Sequence, residues 1–407
     1  MDENKNTQVS GDLTGAQPGG NVYQPPVNAP QPGGNVYQPP VNTYQPGGNV
    51  YRPPVNTYQP GGNVYRGPVN VPQPAGALPP QYSPAQTDEL KSAKRSFSRM
   101  GFALLALGGV TITLQAVIGA AVSLISPSGL YSGWMIWLLN FLPLYLIAFP
   151  VYWLILRRMP RAELESKHLG VKRFFLMLLF CFPLMYGGNI IGNVLSMLFS
   201  GGSAENPLES FAMESSFMKV LFMVILAPIF EELMFRKLLV DRAARYGEKT
   251  AMILSGVCFG LFHMNLFQFF YATALGMLFA YIYIRTRRIQ YTMLLHMIIN
   301  FLGGVVAPWL LSLGGTDALE QMMAGQTPSG DELVSLLPLL IYSFSMMGAA
   351  VAGLIVMIVR SNRIVFLPAE KELPKGSRFR TVYLALGMIF FIVFCVGMTA
   401  FSLYANS

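Results

Sequence analysis

The sequence predicts an all-α, polytopic membrane protein of about nine transmembrane helices, preceded by a disordered N-terminal tail rich in proline and glycine. Of the 407 residues, 53% are hydrophobic and only 12% are charged, against about 25% charged in a typical soluble domain. The apolar residues are concentrated after residue 100, in runs that are long enough to cross about 30 Å of hydrocarbon. The preceding residues are polar and repetitive.

The tail is predicted to span residues 1–86. Four copies of a fourteen-residue unit, each close to QPGGNVYQPPVN plus two residues, begin at Gln17, Gln31, Gln45 and Gln59. Paired prolines favour polyproline II, Gly-Gly pairs interrupt it, and the unit has too few aliphatic residues to form a core. We expect a flexible cytoplasmic tail whose repeated Tyr and Pro-Pro are candidate docking sites for a partner protein. Met1 leads into hydrophilic residues, without the apolar core of a signal peptide.

The membrane domain is predicted at residues 101–407, after a basic juxtamembrane segment at residues 87–100. Its apolar runs predict spans at residues 101–126, 133–156, 173–200, 217–240, 250–266, 268–284, 290–313, 334–359 and 381–404.

Loop charges support this arrangement of spans. The loops after the second, fourth, sixth and eighth predicted spans carry Lys and Arg. The loops near residues 128 and 265 and at residues 201–216 and 314–333 carry none. By the positive-inside rule, this alternation predicts a multi-pass protein of the cell membrane with a cytoplasmic N-terminus. The net charge of +8 therefore does not indicate a nucleic-acid partner.

Smaller sequence signals concern packing. The three cysteines lie in separate apolar segments and predict neither a disulfide framework nor a zinc site. Gly188 and Gly192 form a GxxxG pair, which predicts a close helix contact in the third predicted span. Pro228 predicts a kink in the fourth predicted span, opening a pocket near residue 231.

A group of ionisable side chains interrupts the apolar segments. Glu231, Glu232 and Arg236 lie in the fourth predicted span, His263 in the fifth and His296 in the seventh. Charged groups inside a bilayer cost several kcal/mol and usually face an interior cavity that serves chemistry or transport. These residues are therefore the candidate functional cluster.

Three predicted helices bring polar groups to similar depths. With a helical rise of about 1.5 Å per residue, measured from the nearest basic loop residues, Glu231 lies roughly 16–21 Å inward and His263 about 21 Å. On the same scale His296 lies about 12 Å inward and Asn300 about 18 Å. We expect these side chains to converge.

The spacing within helices assigns partners. Glu232 and Arg236 are four residues apart in the favourable order, so they share a face and leave Glu231 to face another group. His296 and Asn300 are also four apart. A carboxylate with imidazoles and an amide suits peptide-bond hydrolysis, because Glu can act as a general base on water and Asn can donate to an oxyanion.

Three other interpretations remain open at this stage. The polar groups could only tie helices together, or could serve an ion- or proton-coupled transporter. The chain could also be a catalytically silent membrane scaffold that recruits partners through its repeats. His168, in a basic loop, is expected to be a solvated loop residue.

Three motifs resemble those of a known family. Residues 231–236, EELMFR, are similar to the EExxxR motif of the CPBP family of intramembrane endopeptidases, the CAAX-protease and bacteriocin-processing group also called the ABI family. Residues 259–263, FGLFH, and residues 296–300, HMIIN, resemble its second and third motifs. The resemblance covers roughly residues 170–312, the predicted catalytic core.

This resemblance implies a metallo- or glutamate endopeptidase in which Glu231 and His263 activate the attacking water. It implies that His296 and Asn300 bind metal or stabilise the oxyanion, with a divalent ion such as zinc as candidate cofactor at His263 and His296. The implied substrate is a membrane-embedded, prenylated or exported peptide or protein. The tail looks bacterial, which favours peptide maturation or bacteriocin immunity over CAAX processing. The residues implied to support the first two motifs are Glu232, Arg236 and Phe259.

Overall fold

The computed structural model describes residues 82–405, except residues 127–132, 204–205, 207–216 and 314. Within these residues the regular structure is entirely helical, which confirms the all-α polytopic fold. The four predicted repeats lie outside the described residues. The helices are α1 (Pro84–Ile125), α2 (Gly133–Leu156), α3 (Val171–Phe199), α4 (217–243), α5 (Glu248–Phe262), α6 (Leu266–Thr286), α7 (Ile289–Ser312), α8 (Gly315–Met323), α9 (Gly330–Ser335), α10 (Leu337–Arg360), α11 (Arg378–Val382) and α12 (Leu386–Ala405).

The first helix is longer than predicted. α1 starts after Ser83, whose side chain accepts a hydrogen bond from the backbone of Gln86 while the Gln86 side chain bonds back to Ser83. This capping box satisfies two backbone donors at the helix start. One helix therefore runs from Pro84 through the segment predicted as juxtamembrane, residues 87–100, and on through the first span.

The predicted count of nine spans is also not confirmed. Seven helical segments among the described residues are long and apolar enough to cross a membrane. The fourth and fifth predicted spans are not among them. α4 carries the charged residues and is divided into short stretches, and α5 has 15 residues. A helix of that length extends about 22 Å, less than the hydrocarbon thickness.

Three helices widen to π-helical geometry immediately before a proline. The stretches are Pro143–Ala148 in α2, Val220–Leu226 in α4 and Leu302–Val306 in α7, and Pro150, Pro228 and Pro308 follow two residues later. Proline has no N–H and clashes with the preceding turn. The kink predicted at Pro228 is thus a local change of helical hydrogen bonding.

α4 contains a further π-helical stretch, Leu233–Val240, whose carbonyls accept hydrogen bonds from side chains of neighbouring helices. Tyr152 donates to the carbonyl of Met234 at 3.2 Å, and Ser255 donates to the carbonyl of Phe235 at 3.2 Å. Irregular backbone is tolerated at membrane depth only where protein groups replace the lost hydrogen bonds. The packing of α2 and α5 against α4 provides this condition next to the candidate site.

The predicted basic loops meet at one end of the helices. The Ala162 N–H donates to the carbonyl of Asp241, and the Arg287 side chain donates to the carbonyl of Ala162. The Lys371 N–H donates to the carbonyl of Arg245. The four loops therefore share one side of the helices, as the charge pattern predicts. Which face of the membrane this side occupies stays a prediction.

The GxxxG pair makes the predicted close contact. A Cβ on Gly188 would lie 2.4 Å from the backbone of Tyr271, and one on Gly192 would lie 2.6 Å from the carbonyl oxygen of Phe267. No side chain fits at these distances, so glycine allows α3 to pack directly against the start of α6.

Candidate active site

The two glutamates lie in a short regular stretch of α4, Ala227–Glu232, between two π-helical stretches. Glu232 is fully buried, and its Oε2 atom lies 3.1 Å from the Nε atom of the fully buried Arg236. The guanidinium lies 4.7 Å from the ring centroid of Phe259 and 5.4 Å from that of Phe279. The structure therefore pairs Glu232 with Arg236, as their spacing predicts, and adds an aromatic enclosure for the cation.

His296 contacts both glutamates. Its Nδ1 atom lies 3.2 Å from Glu232 Oε1, and its Nε2 atom lies 3.6 Å from Glu231 Oε2. A carboxylate paired with Arg236 is ionised and only accepts hydrogen bonds, so we assign a proton to Nδ1. Nε2 then faces the carboxylate of Glu231. An unprotonated Nε2 and an ionised carboxylate both only accept hydrogen bonds, so this contact is favourable when one of the two carries a proton. The sequence did not predict this bridge.

His263 ends α5 and presents one nitrogen to the site. Its Nδ1 lies 2.7 Å from the carbonyl oxygen of Phe259, which can only accept, so Nδ1 carries the proton and Nε2 is left as an acceptor. Glu231 interacts electrostatically with His263. The Phe259 ring meets both His263 and His296 edge to face, with centroids 4.8 and 5.8 Å away. Phe259 thus fixes the two imidazoles and the guanidinium relative to one another.

Asn300 has a structural contact that the sequence did not indicate. Its Nδ2 atom donates to the carbonyl of Met223 at 2.9 Å. In the preceding turn, the Ala227 N–H bonds to the carbonyl five residues earlier, at Phe222. The next residue, Pro228, has no N–H for the carbonyl of Met223. Asn300 donates one of its two amide hydrogens to this carbonyl in place of the missing N–H. The second amide hydrogen and Oδ1 remain for other contacts.

Two tyrosines near the glutamates were missed by sequence reasoning. Tyr145, in the π-helical stretch of α2, stacks on Phe230 with centroids 4.0 Å apart. Its buried hydroxyl has no hydrogen-bond partner among the described residues and interacts electrostatically with Glu231. Tyr271 on α6 also interacts with Glu231, while its hydroxyl accepts a hydrogen bond from Gln268 at 3.0 Å. Isolated tyrosines in apolar runs give no signal that distinguishes them from packing residues.

The side chains present do not fit a metal site with three protein ligands. Each imidazole engages Nδ1 elsewhere, which is typical of metal-binding histidines and leaves the two Nε2 atoms as candidate donors. However, in the part of the chain that the structure describes, no three His, Cys, Asp or Glu side chains are grouped so that they could hold a metal ion. The divalent ion at His263 and His296 stays a prediction.

The fold and this cluster define a multi-pass membrane protein with a buried centre of two glutamates and two histidines. Residues 213–302, which contain all three motifs, match the family described as Type II CAAX prenyl endopeptidase Rce1-like. This region is therefore similar to the CPBP family of intramembrane proteases, as the three motifs indicate.

A curated relative is similar to part of the chain. The chain is 29% identical over 156 residues to the protein named "Putative membrane peptidase YdiL" of Bacillus subtilis (strain 168). The aligned region covers 36% of this chain and 62% of that protein, so the chain spans less than two thirds of the relative's length. No solved structure matches the chain.

Proposed function

We propose that this protein is an intramembrane endopeptidase in which Glu231 and His263 activate a water molecule for attack on a peptide bond. The observation that carries the proposal is that the two adjacent glutamates have different partners. Glu232 pairs directly with Arg236 at 3.1 Å, whereas Glu231 lies 3.6 Å from Nε2 of His296 and interacts electrostatically with His263 and, less strongly than Glu232 does, with Arg236. A carboxylate in a poorly solvated site is a suitable general base.

In the proposed reaction, water lies between Glu231 and Nε2 of His263. Glu231 removes a proton as the water oxygen attacks the scissile carbonyl, and Nε2 accepts the second hydrogen of the water to orient it. The proton on Glu231 is then delivered to the departing amine, so the carboxylate is regenerated. The hydrogen bond from Nδ1 to Phe259 holds the imidazole in the required tautomer.

The developing oxyanion requires donors. His296 is held by Glu232 at its Nδ1 atom, so protonation of Nε2 makes it a donor toward the site. The free amide hydrogen of Asn300 and the unpaired hydroxyl of Tyr145 are further candidates. Donors fixed before the reaction stabilise charge at little reorganisation cost, and loss of one such donor typically lowers turnover about 100-fold or more.

The proposed substrate is a membrane-tethered peptide or protein cut near a lipidated or hydrophobic end. The support is the placement of the site among apolar helices, because a substrate with an apolar segment can partition into the same environment. We propose that the protein resides in the cell membrane with its N-terminus in the cytoplasm, on the basis of the loop charges. Peptide maturation and bacteriocin immunity are the candidate biological roles.

The test compares membrane peptides from cells that make the wild-type protein, Glu231→Gln or Glu163→Gln. Glu163 is an exposed glutamate in the loop after α2, so its amide variant controls for loss of one charge. We expect a cleavage product that is present with wild type and Glu163→Gln and absent with Glu231→Gln. His263→Ala should behave as Glu231→Gln does, because both would act on the same water.

Purified protein then separates catalysis from folding. Glu231→Gln should keep the wild-type elution profile and thermal stability while turnover of the identified peptide falls at least about 1000-fold. Substantial cleavage by the purified, folded Glu231→Gln protein would remove the assigned base and favour helix packing or transport as the role of the cluster.

A Tyr145→Phe variant tests the residue that the sequence did not indicate. Removal of an unpaired buried hydroxyl should not lower stability, since no hydrogen bond is lost within the described residues. We expect kcat to fall roughly 10- to 100-fold with little change in KM. An unchanged kcat would exclude the hydroxyl from the reaction.

A further inference from the structure

A cavity with a basic rim lies at the end of the helices where the basic loops meet, apart from the candidate active site. The start of α3, the end of α6 and the turn that follows α10 surround a pocket of about 490 Å³. Its lining includes five Lys and Arg side chains and no Asp or Glu. The helices α3 and α10 lie outside residues 213–302. The pocket is therefore formed only partly by the region that matches the family.

Most of this positive charge is uncompensated. Lys167 pairs with Glu165, and Arg285 pairs with Glu248. The other three cations, Arg173, Arg360 and Arg363, have no ion pair or hydrogen bond with any residue that the structure describes. Arginines gathered around one cavity without acidic partners repel one another, and an anion relieves that repulsion.

The inner part of the pocket is apolar. Met177 and Phe180 on α3 and Ile282 on α6 line it. Phe180 lies seven residues after Arg173, so the pocket extends about 10 Å from its charged rim along α3. A small inorganic anion would use only the rim, whereas a molecule with an anionic head and a hydrocarbon chain would use both parts.

We propose that this pocket binds an anionic phospholipid. The phosphate lies among Arg173, Arg360 and Arg363, and an acyl chain follows Met177 and Phe180 toward the bilayer. Guanidinium groups suit phosphate because their planar donors match its oxygens. Basic pockets between transmembrane helices at the membrane boundary are suited to lipid head groups. The bound lipid would join α3, α6 and α10, and this binding does not depend on the proposed peptidase activity.

The experiment is native mass spectrometry of the full chain, titrated with phosphatidylglycerol or phosphatidylcholine of the same acyl composition. We expect phosphatidylglycerol to bind at least about tenfold more tightly to the wild-type protein. The triple variant Arg173→Gln/Arg360→Gln/Arg363→Gln should weaken phosphatidylglycerol binding about 100-fold, on the basis of about one kcal/mol for each basic residue. Phosphatidylcholine binding should not change.

A matched control removes the same charge from the same end of the protein. Lys172, Arg158 and Arg380 are exposed and do not line the pocket, so Lys172→Gln/Arg158→Gln/Arg380→Gln should retain phosphatidylglycerol. The assignment of the pocket would be overturned if the wild-type protein bound both lipids equally. It would also be overturned if both triple variants lost phosphatidylglycerol affinity to the same extent.

A further measurement adds inorganic phosphate or glycerol 3-phosphate as a competitor of bound phosphatidylglycerol. We expect neither to displace bound phosphatidylglycerol at millimolar concentration, because neither contacts the apolar part. Displacement by these anions would identify the pocket as a phosphate site and overturn the assignment to a lipid. The wild-type comparison does not depend on a variant, so it remains decisive if the triple variant is recovered in poor yield.

Discussion

Replacement of Glu232 by glutamine separates the charge of this residue from its shape. The side chain is fully buried between Arg236 and His296, at 3.1 and 3.2 Å. Glutamine keeps an oxygen that accepts from His296 Nδ1 but removes the carboxylate that pairs directly with Arg236. Loss of one partner of a buried ion pair costs about 3–5 kcal/mol.

The rings around Arg236 reduce this cost. Phe259 and Phe279 remain against the guanidinium at 4.7 and 5.4 Å, and a desolvated cation–π contact contributes up to about 2 kcal/mol. We therefore expect Glu232→Gln to lower the free energy of unfolding by about 3 kcal/mol, the lower end of that range. In the double variant Glu232→Gln/Arg236→Met the unpaired cation is gone. We expect this variant to recover about 2 kcal/mol of the loss.

The measurement is unfolding of purified protein in mixed micelles with a rising fraction of SDS, followed by tryptophan fluorescence. Glu370→Gln is the matched control, because Glu370 pairs with Arg245 at 2.8 Å but its side chain is 60% exposed. An exposed pair contributes less than about 1 kcal/mol. A Glu232→Gln protein as stable as Glu370→Gln, or no recovery with Arg236→Met, would refute the assignment of Glu232 as the counterion of a buried arginine.

The remaining predictions concern a backbone contact, the metal and the topology. Asn300→Ala should lower the free energy of unfolding by about 1 kcal/mol, because the partly buried hydrogen bond to the carbonyl of Met223 is lost. In a Pro228→Ala background residue 228 regains an N–H that can donate to the carbonyl of Met223, so Asn300→Ala should lower the free energy of unfolding by less. Equal losses in the two backgrounds would contradict this account. Elemental analysis of active protein after treatment with a chelator tests for a divalent ion, and loss of turnover restored by zinc would support the two histidines as ligands. In a cysteine-free background, Glu320→Cys should be labelled from outside intact cells and Glu165→Cys should not; the reverse pattern would invert the topology.

Much of the architecture followed from local sequence properties. Apolar runs predict all-α spans because each segment must satisfy its own backbone in lipid. The close contact of α3 and α6 at Gly188 and Gly192 was predictable for a similar reason, since a GxxxG pair exposes backbone along one face. The four-residue spacing of Glu232 and Arg236 likewise predicts their contact, because both lie on one helix.

Other features of the fold depended on length and continuity rather than on composition. The fifth predicted span is apolar, but α5 has only 15 residues. The charged stretch before the first span continues α1 without a break from Pro84. A window of hydropathy does not resolve where a helix starts, because helix starts depend on capping contacts such as that of Ser83.

The sequence by itself determined the helical membrane fold, the pairing of Glu232 with Arg236 and the set of polar residues that enter the apolar segments. Only the tertiary structure decided how those residues meet. His296 lies 64 positions from Glu232, and Asn300 lies 77 positions from Met223. Contacts over such separations depend on how α4 and α7 are rotated and shifted against each other. That packing depends on many apolar contacts and on the π-helical turns, and no local pattern specifies it.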